Sequence, residues 1–132
     1  MPTDLQEIIY VSTLAADAPI RVVADIAIKA RSHNKDADIT GLLIFDGLHF
    51  CQQLEGVVAK VAEVMARIHL DPRHRDVSIV YQGPIGKRRF SRFSLGYTSV
   101  EDIELLERLQ QLRGPAAVKA FVDLLAGLDV DE

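Results

Sequence analysis

Residues 39–55 carry the pattern that most restricts what this chain can fold into. Ile39-Thr40-Gly41-Leu42-Leu43-Ile44-Phe45, the pair Asp46-Gly47, and then Leu48 to Glu55 read as a β-hairpin closed by a two-residue turn. Alternation along the second strand puts Leu48, Phe50, Gln52 and Leu54 on one face and His49, Cys51, Gln53 and Glu55 on the other. The first set is the apolar one, so Gln52 belongs to the core-facing side. In the simplest register Phe45 opposes Leu48, which pairs Gln52 with Gly41 and leaves space beside a buried amide. An unpaired buried amide is costly. Two readings follow: a glutamine bonded to neighbouring backbone or hydroxyl groups, or one aimed at a polar ligand in the gap.

Around the hairpin the element order is legible from periodicity. Glu7 to Thr13 is a β-branched strand. A helix is expected from about Pro19 to His33, with Asp17 as its cap, Pro19 in the first turn and Val23, Ala27, Ala30 and Asn34 on one stripe. Val57 to Leu70 repeats Val58, Val61, Met65 and Ile68 at helical spacing, and Asp71-Pro72 stops it. Val77 to Gln82 is a fourth strand, Gly83-Pro84 a turn and Lys87 to Tyr97 a fifth strand. The order β-α-β-β-α-β-β predicts an α+β, ferredoxin-like sandwich: a five-stranded mixed sheet with two helices on one face. That arrangement leaves the second face bare. Ser99 with Asp102 resembles a capping box opening a helix to about Leu112, and Gly114-Pro115 separates it from a last helix holding Val118, Phe121, Val122 and Leu125. The expected division is therefore a domain over 1–98 and a C-terminal helical hairpin over 99–132. That hairpin covers the bare face or offers its stripe to another subunit or a partner protein.

Length and composition bound the function. A chain of 132 residues, 48% apolar and 26% charged, fits a single globular domain. With a net charge of −4, direct nucleic-acid binding is not expected, and the local cluster Lys87, Arg88, Arg89 and Arg92 reads as a solvated strand edge. No run is long enough to span a bilayer, the N-terminus is no signal peptide, and the lone Cys51 fits a reducing compartment, so a cytoplasmic location is expected.

Several polar residues fall where the two sheet-covering helices meet the sheet. Tyr10 shares a strand face with Ile8 and Ser12; if that is the helix-covered face it converges with Gln52, the alternative being a tyrosine bonded to a backbone carbonyl. A buried phenol needs a partner, and an amide offers both a donor and an acceptor end. Asn34 falls at the end of the first helix, either as an αL cap or as an amide that reads a heteroaromatic edge. Arg67 and Asp71 stand four apart near the end of the second helix, the spacing of a surface ion pair, with Arg73-His74 directly after.

Taken in order, the segments Ile9-Tyr10-Val11-Ser12, Ala30-Arg31-Ser32-His33-Asn34, Ile39-Thr40-Gly41-Leu42-Leu43, Phe50-Cys51-Gln52-Gln53-Leu54-Glu55-Gly56, Asp71-Pro72-Arg73-His74 and Arg88-Arg89-Phe90-Ser91-Arg92-Phe93-Ser94-Leu95-Gly96 resemble the BLUF family of flavin-binding blue-light sensors. The resemblance covers about Glu7 to Tyr97. It implies non-covalent FAD with its isoalloxazine ring between the two helices, Tyr10 and Gln52 in a hydrogen-bonded chain to the ring, and Asn34 on the ring's pyrimidine side. In such domains light makes the flavin a strong oxidant toward the tyrosine, after which the glutamine rotates or tautomerises and the absorption moves to the red. Ile26, His33, Arg67, Asp71, Arg73 and His74 are carried over as contacts to flavin, ribityl or phosphate groups, and Phe93 and Leu95 as the positions of signal transmission.

Three departures stand out. Phe93 and Leu95 occupy positions where the family often has Trp and Met, Ala30 replaces a hydroxyl residue seen in some members, and Val57 replaces a proline. Cys51 faces away from Gln52, so core packing rather than a cysteinyl-flavin adduct is its expected role. Because the sequence ends soon after the helical pair, the expectation is a stand-alone photoreceptor without enzymatic output that signals to an unknown downstream protein or as a homo-oligomer. A small flavin- or nucleotide-dependent enzyme using His74 or Tyr10 as an acid/base group, and a light-independent interaction module, are the alternatives.

Overall fold

The run Ile8-Ile9-Tyr10-Val11-Ser12-Thr13 suits a central strand, because β-branched and aromatic side chains pack well on a pleated surface. The computed structural model describes residues 4–127, and its first strand, β1 (Leu5–Leu14), has antiparallel neighbours on both sides. Helix α1 (Val22–Asp36), strands β2 (Thr40–Phe45) and β3 (His49–Val57), helix α2 (Val58–Leu70), strands β4 (His74–Ile85) and β5 (Gly96–Ser99), and helices α3 (Ile103–Gln110) and α4 (Pro115–Leu125) follow. The strands lie in the order β4-β1-β3-β2-β5, with β5 parallel to β2 and the other pairs antiparallel. This is the ferredoxin-like α+β sheet that the element order predicts.

Alternation in the two central strands divides the core. On the first face, Ile8, Tyr10 and Leu54 pack with Val61, Val64 and Met65 of α2, while Leu43, Phe45 and Phe50 pack with Val23, Ile26 and Ala27 of α1. On the second face, Ile9, Val11, Leu42, Ile44, Cys51 and Val80 pack with Leu106 and Leu109 of α3 and Ala117 and Phe121 of α4. The helical hairpin was expected over 99–132, of which 128–132 lie outside the described residues.

Local chemistry departs from the expected boundaries in instructive ways. Asp46 precedes the hairpin turn instead of forming it: its Oδ1 accepts from the backbone N–H groups of Leu48 and His49 at 2.9 and 2.6 Å, and Gly47 takes the positive φ of 98°. Phe45 therefore opposes Phe50, Leu43 opposes Gln52, and the expected Gly41–Gln52 pair does not form. Because the register slips by two residues, every side chain keeps the face that alternation gave it. Gly41 is still a position of close approach, since a Cβ there would collide with the Gln53 carbonyl.

Gly83-Pro84 is not a turn but part of β4, where Pro84 opposes Gln6; β4 is an edge strand, and an edge tolerates a missing N–H. Helix α1 starts at Val22 rather than near Pro19, with no side-chain cap from Asp17. Asp102, not Ser99, caps α3 by accepting from the Glu104 N–H.

The largest correction concerns Lys87 to Tyr97, of which only Gly96 and Tyr97 enter β5. The preceding stretch is an irregular strap folded over the sheet, because its polar groups find partners far away in sequence. Arg89 Nε donates to buried Glu7 at 2.5 Å, and the Arg89 and Phe90 N–H groups donate to the two oxygens of buried Glu55 at 2.8 and 2.9 Å. Arg88 reaches Thr40 Oγ1 and the Asp38 carbonyl, both at 2.8 Å. Gln53 Nε2 completes the network by donating to both Glu7 and Glu55 at 2.8 Å. Arg88 and Arg89 are thus the cations of a buried network rather than a solvated strand edge.

Candidate functional site

Strand pairing brings the two central polar residues together. Tyr10 of β1 lies directly opposite Gln52 of β3, and its hydroxyl donates to Gln52 Oε1 at 2.5 Å. Because Oε1 accepts the phenol, the Nε2 end of the amide is left for whatever fills the cleft on the first face. Tyr10 is fully buried, and burial, followed by the nearby Cys51 and Asp71, drives its pKa upward. The phenol therefore holds its proton at any physiological pH.

The cleft runs between α1 and α2 above this pair. Ile26, Lys29, Ala30, His33 and Asn34 line it from α1, Val64, Arg67 and Ile68 from α2, Gln52 from the floor, and Asp71, Arg73 and His74 from the end where α2 meets β4. Every residue carried over from the resemblance as a contact is thus on the cleft wall, except Tyr10, which stands behind Gln52. Lys29 and Val64 were not singled out in the sequence, although they follow by helical spacing from Ile26, His33 and Ile68. Ala30 also faces the cleft, so the hydroxyl that some family members carry there is missing from this wall.

Asn34 is not a cap: it lies inside α1, which runs on to Asp36, and it is fully buried. Its Nδ2 donates to the Ser94 carbonyl at 2.9 Å, while its Oδ1 is buried without a partner. A buried acceptor left unpaired costs about 1–3 kcal/mol. Such a group on a cleft wall fits a ligand carrying an N–H donor at its edge, which the pyrimidine side of a flavin supplies. An apolar wall of Ile26, Ala30, Val64 and Ile68 with convergent amides suits a flat heteroaromatic ring.

At the far end, Asp71 does not pair with Arg67. It is held by Arg73, whose Nε and Nη2 donate to the two carboxylate oxygens at 2.9 and 2.6 Å. This fork keeps the Asp71 carboxyl below its ordinary range and fixes the loop. Arg67, exposed and without that partner, is directed at the cleft. His74 is half-buried: its ring is tilted against Phe50 with centroids 4.8 Å apart, and Nδ1 lies 2.9 Å from Ser12 Oγ. Burial is the main cause that lowers its pKa, with Asp71 opposing and Arg73 adding to the shift.

Leu95 packs into the α1 side of the core, and Phe93 precedes β5, holding Gly41 through its carbonyl at 3.2 Å. Leu95 is thus on the first face, away from α3 and α4, where a fifth strand over 87–97 would have allowed a contact. Cys51 is buried on the second face, away from the cleft, where desolvation pushes its thiol pKa up.

A ferredoxin-like sandwich with a cleft between the two helices of one face, floored by a phenol–amide pair and walled by an unsatisfied amide oxygen, defines a receptor for a planar heteroaromatic ligand. The family model BLUF, sensors of blue-light using FAD, matches residues 5–96, and this chain belongs to that family. It is a flavin-binding, blue-light-sensing domain. Among its relatives is the blue light- and temperature-regulated antirepressor BluF of Escherichia coli (strain K12), 32% identical over 104 residues that cover 79% of this chain and 25% of that protein. Photoactivated adenylate cyclase subunit alpha of Euglena gracilis is 30% identical over 116 residues, 87% of this chain and 11% of that protein. The chain thus spans a quarter or less of the length of these curated relatives. The dark-state structure of the BLUF protein BlrB superposes with a TM-score of 0.79 at 29% identity, over 96% of this chain and 98% of that one. Among the described residues, no helix is long and apolar enough to cross a membrane.

Proposed function

We propose that the flavin is FAD, held non-covalently in the α1–α2 cleft, and that Tyr10 and Gln52 are the photoactive pair. The observation that carries this reading is the Tyr10–Gln52 hydrogen bond at the cleft floor, which presents the amide to the ligand. Bound there, a flavin supplies blue-light absorption and an oxidising excited state. The chain supplies the rest. Tyr10 stores an ionisable proton directed at Gln52, and the Gln52 amide has two chemically distinct ends whose exchange inverts the hydrogen bonding offered to the cleft. Asn34 Oδ1 accepts from the ring edge. Ile26 offers the ring an apolar face, and His33 and Arg67 at the rim suit ribityl hydroxyl and phosphate groups. The Asp71–Arg73 fork orders the loop that closes the end of the cleft.

An acid/base role for Tyr10 in an enzyme has less support, because burial pushes the phenol far above the range where it exchanges protons with neutral water. We infer that the domain senses without catalysing and passes its state to a separate protein or through self-assembly. Phe93 and Leu95 then act through backbone rather than by direct contact with α3 and α4: Asn34 holds the Ser94 carbonyl, and Arg31 Nε holds the Leu95 carbonyl at 3.1 Å. The other end of the strap meets α4, where Phe90 lies edge-on to Phe121 at 6.4 Å. Purified protein is expected to carry FAD, identified by mass after release, and its visible absorption is expected to move to the red under blue light and revert in the dark. Protein that binds FAD but shows no light-induced shift would overturn the photoreceptor chemistry proposed for this pair.

A further inference from the structure

We propose that Ser12 and His74 form a positioning pair behind the photoactive residues, and that a proton on His74 weakens the light response. The proposal rests on the reading of Tyr10 and Gln52 given above.

The backbone aims His74 at this place. Along the β1–β4 ladder, Val11 opposes Ser78 but Thr13 opposes Arg75, so Asp76 and Val77 together face Ser12. This is a bulge, and Asp76 takes a φ of 52°, which non-glycine residues seldom adopt. A bulge re-aims the side chains that flank it. Here it lets the His74 ring reach back over the strand to Ser12 Oγ at 2.9 Å, with its plane nearly perpendicular to that of Tyr10 and the centroids 6.2 Å apart. Phe50 covers the ring from β3. The pair therefore stands beside the phenol without belonging to its hydrogen bond.

Charge decides what the pair does. The groups that face His74 are Tyr10 and Ser12 from β1, Phe50 and Gln52 from β3, and Asp71 and Arg73 from the loop before it; Lys29 and His33 of α1 and Arg67 of α2 share its cleft. The Asp71 carboxylate favours an imidazolium, but it is spent on the Arg73 fork, and desolvation outweighs it. His74 is therefore neutral near pH 7, and its imidazole places no charge beside Tyr10. A proton on the imidazole would place a full charge beside the phenol in a poorly screened interior. Any positive charge developing on Tyr10 during the light reaction would then be disfavoured.

Wild-type protein, Ser12→Ala and His74→Gln should be titrated from about pH 8 to 5, a range that spans the ordinary histidine pKa. Two readouts are taken: the photoproduct yield, and the His74 ring signal by NMR in the dark, assigned by its absence in His74→Gln. The wild-type yield is expected to fall several-fold with acidification, with the same midpoint as the ring titration. Ser12→Ala removes the hydroxyl that accepts from the charged ring, so both midpoints should move down together. His74→Gln should abolish the step in whatever flavin-bound fraction it retains. A yield that stays flat while the ring titrates, a ring that stays neutral across the range, or a yield midpoint that Ser12→Ala leaves in place would each overturn the proposal. Absence of a photoproduct at every pH would instead count against the Tyr10–Gln52 reading itself.

Discussion

Asn34 spends one end of its amide on the Ser94 carbonyl and leaves the other buried and unpaired, an arrangement that costs free energy until a donor enters the cleft. Asn34→Ala is therefore expected to weaken flavin retention more than it lowers the melting temperature of the apoprotein. Flavin content and thermal melts on the same preparations separate the two effects, and a variant that melts early yet keeps full occupancy would make Asn34 only a tie for the strap. At this scale the sequence was informative where alternation or helical spacing fixes the direction of a side chain. Tyr10, Gln52 and Asn34 could be put on the right faces because period 2 and period 3.6 hold even when a turn slips. Pairing was not legible. Arg67 and Asp71 have ideal spacing for an ion pair, yet Arg73 claims Asp71 through a fork that backbone spacing does not announce.

The strap between β4 and β5 is the element that local pattern misread. Its arginines resemble a solvated edge because their partners, Glu7 and Glu55, are 82 and 34 residues away in sequence. The short parallel pairing of β5 with β2 leaves no alternating run to detect. Removing Arg89 should leave Glu7 buried without its cation, at roughly 3 kcal/mol by comparison with other buried pairs. Urea unfolding should show most of that loss for Arg89→Ala and a partial recovery in Glu7→Gln/Arg89→Gln, where no buried charge is stranded. Equal losses in the two variants would mean that packing rather than charge holds the strap. Since the strap joins the Asn34 side of the cleft to Phe121 on α4, light is also expected to change hydrogen exchange in residues 87–97 and in α3 and α4. A rearranged hydrogen bond redistributes only about 1 kcal/mol, so the change should be several-fold rather than all-or-none. Identical exchange in dark and light, in a sample whose spectrum shifts, would place the output surface elsewhere.

Across the whole molecule, each face of one sheet has its own covering. The β1 and β3 alternation sends Tyr10 and Gln52 toward α1 and α2, and Val11 and Cys51 toward α3 and α4, so a change at the cleft floor lies one strand thickness from the second core. The order of elements made the sandwich and its first face readable. Whether the last two helices fold back or reach for a partner was not, because an amphipathic stripe is the same in either case. The central claim is that light acts through the Tyr10–Gln52 hydrogen bond. Its most direct test is the light-minus-dark absorption spectrum of flavin-loaded Tyr10→Phe and Gln52→Leu beside the wild type. Tyr10→Phe keeps the ring and removes the hydroxyl, and Gln52→Leu keeps the volume and removes the amide. Both should bind flavin and lose the red shift, whereas a wild-type shift in both would contradict the account.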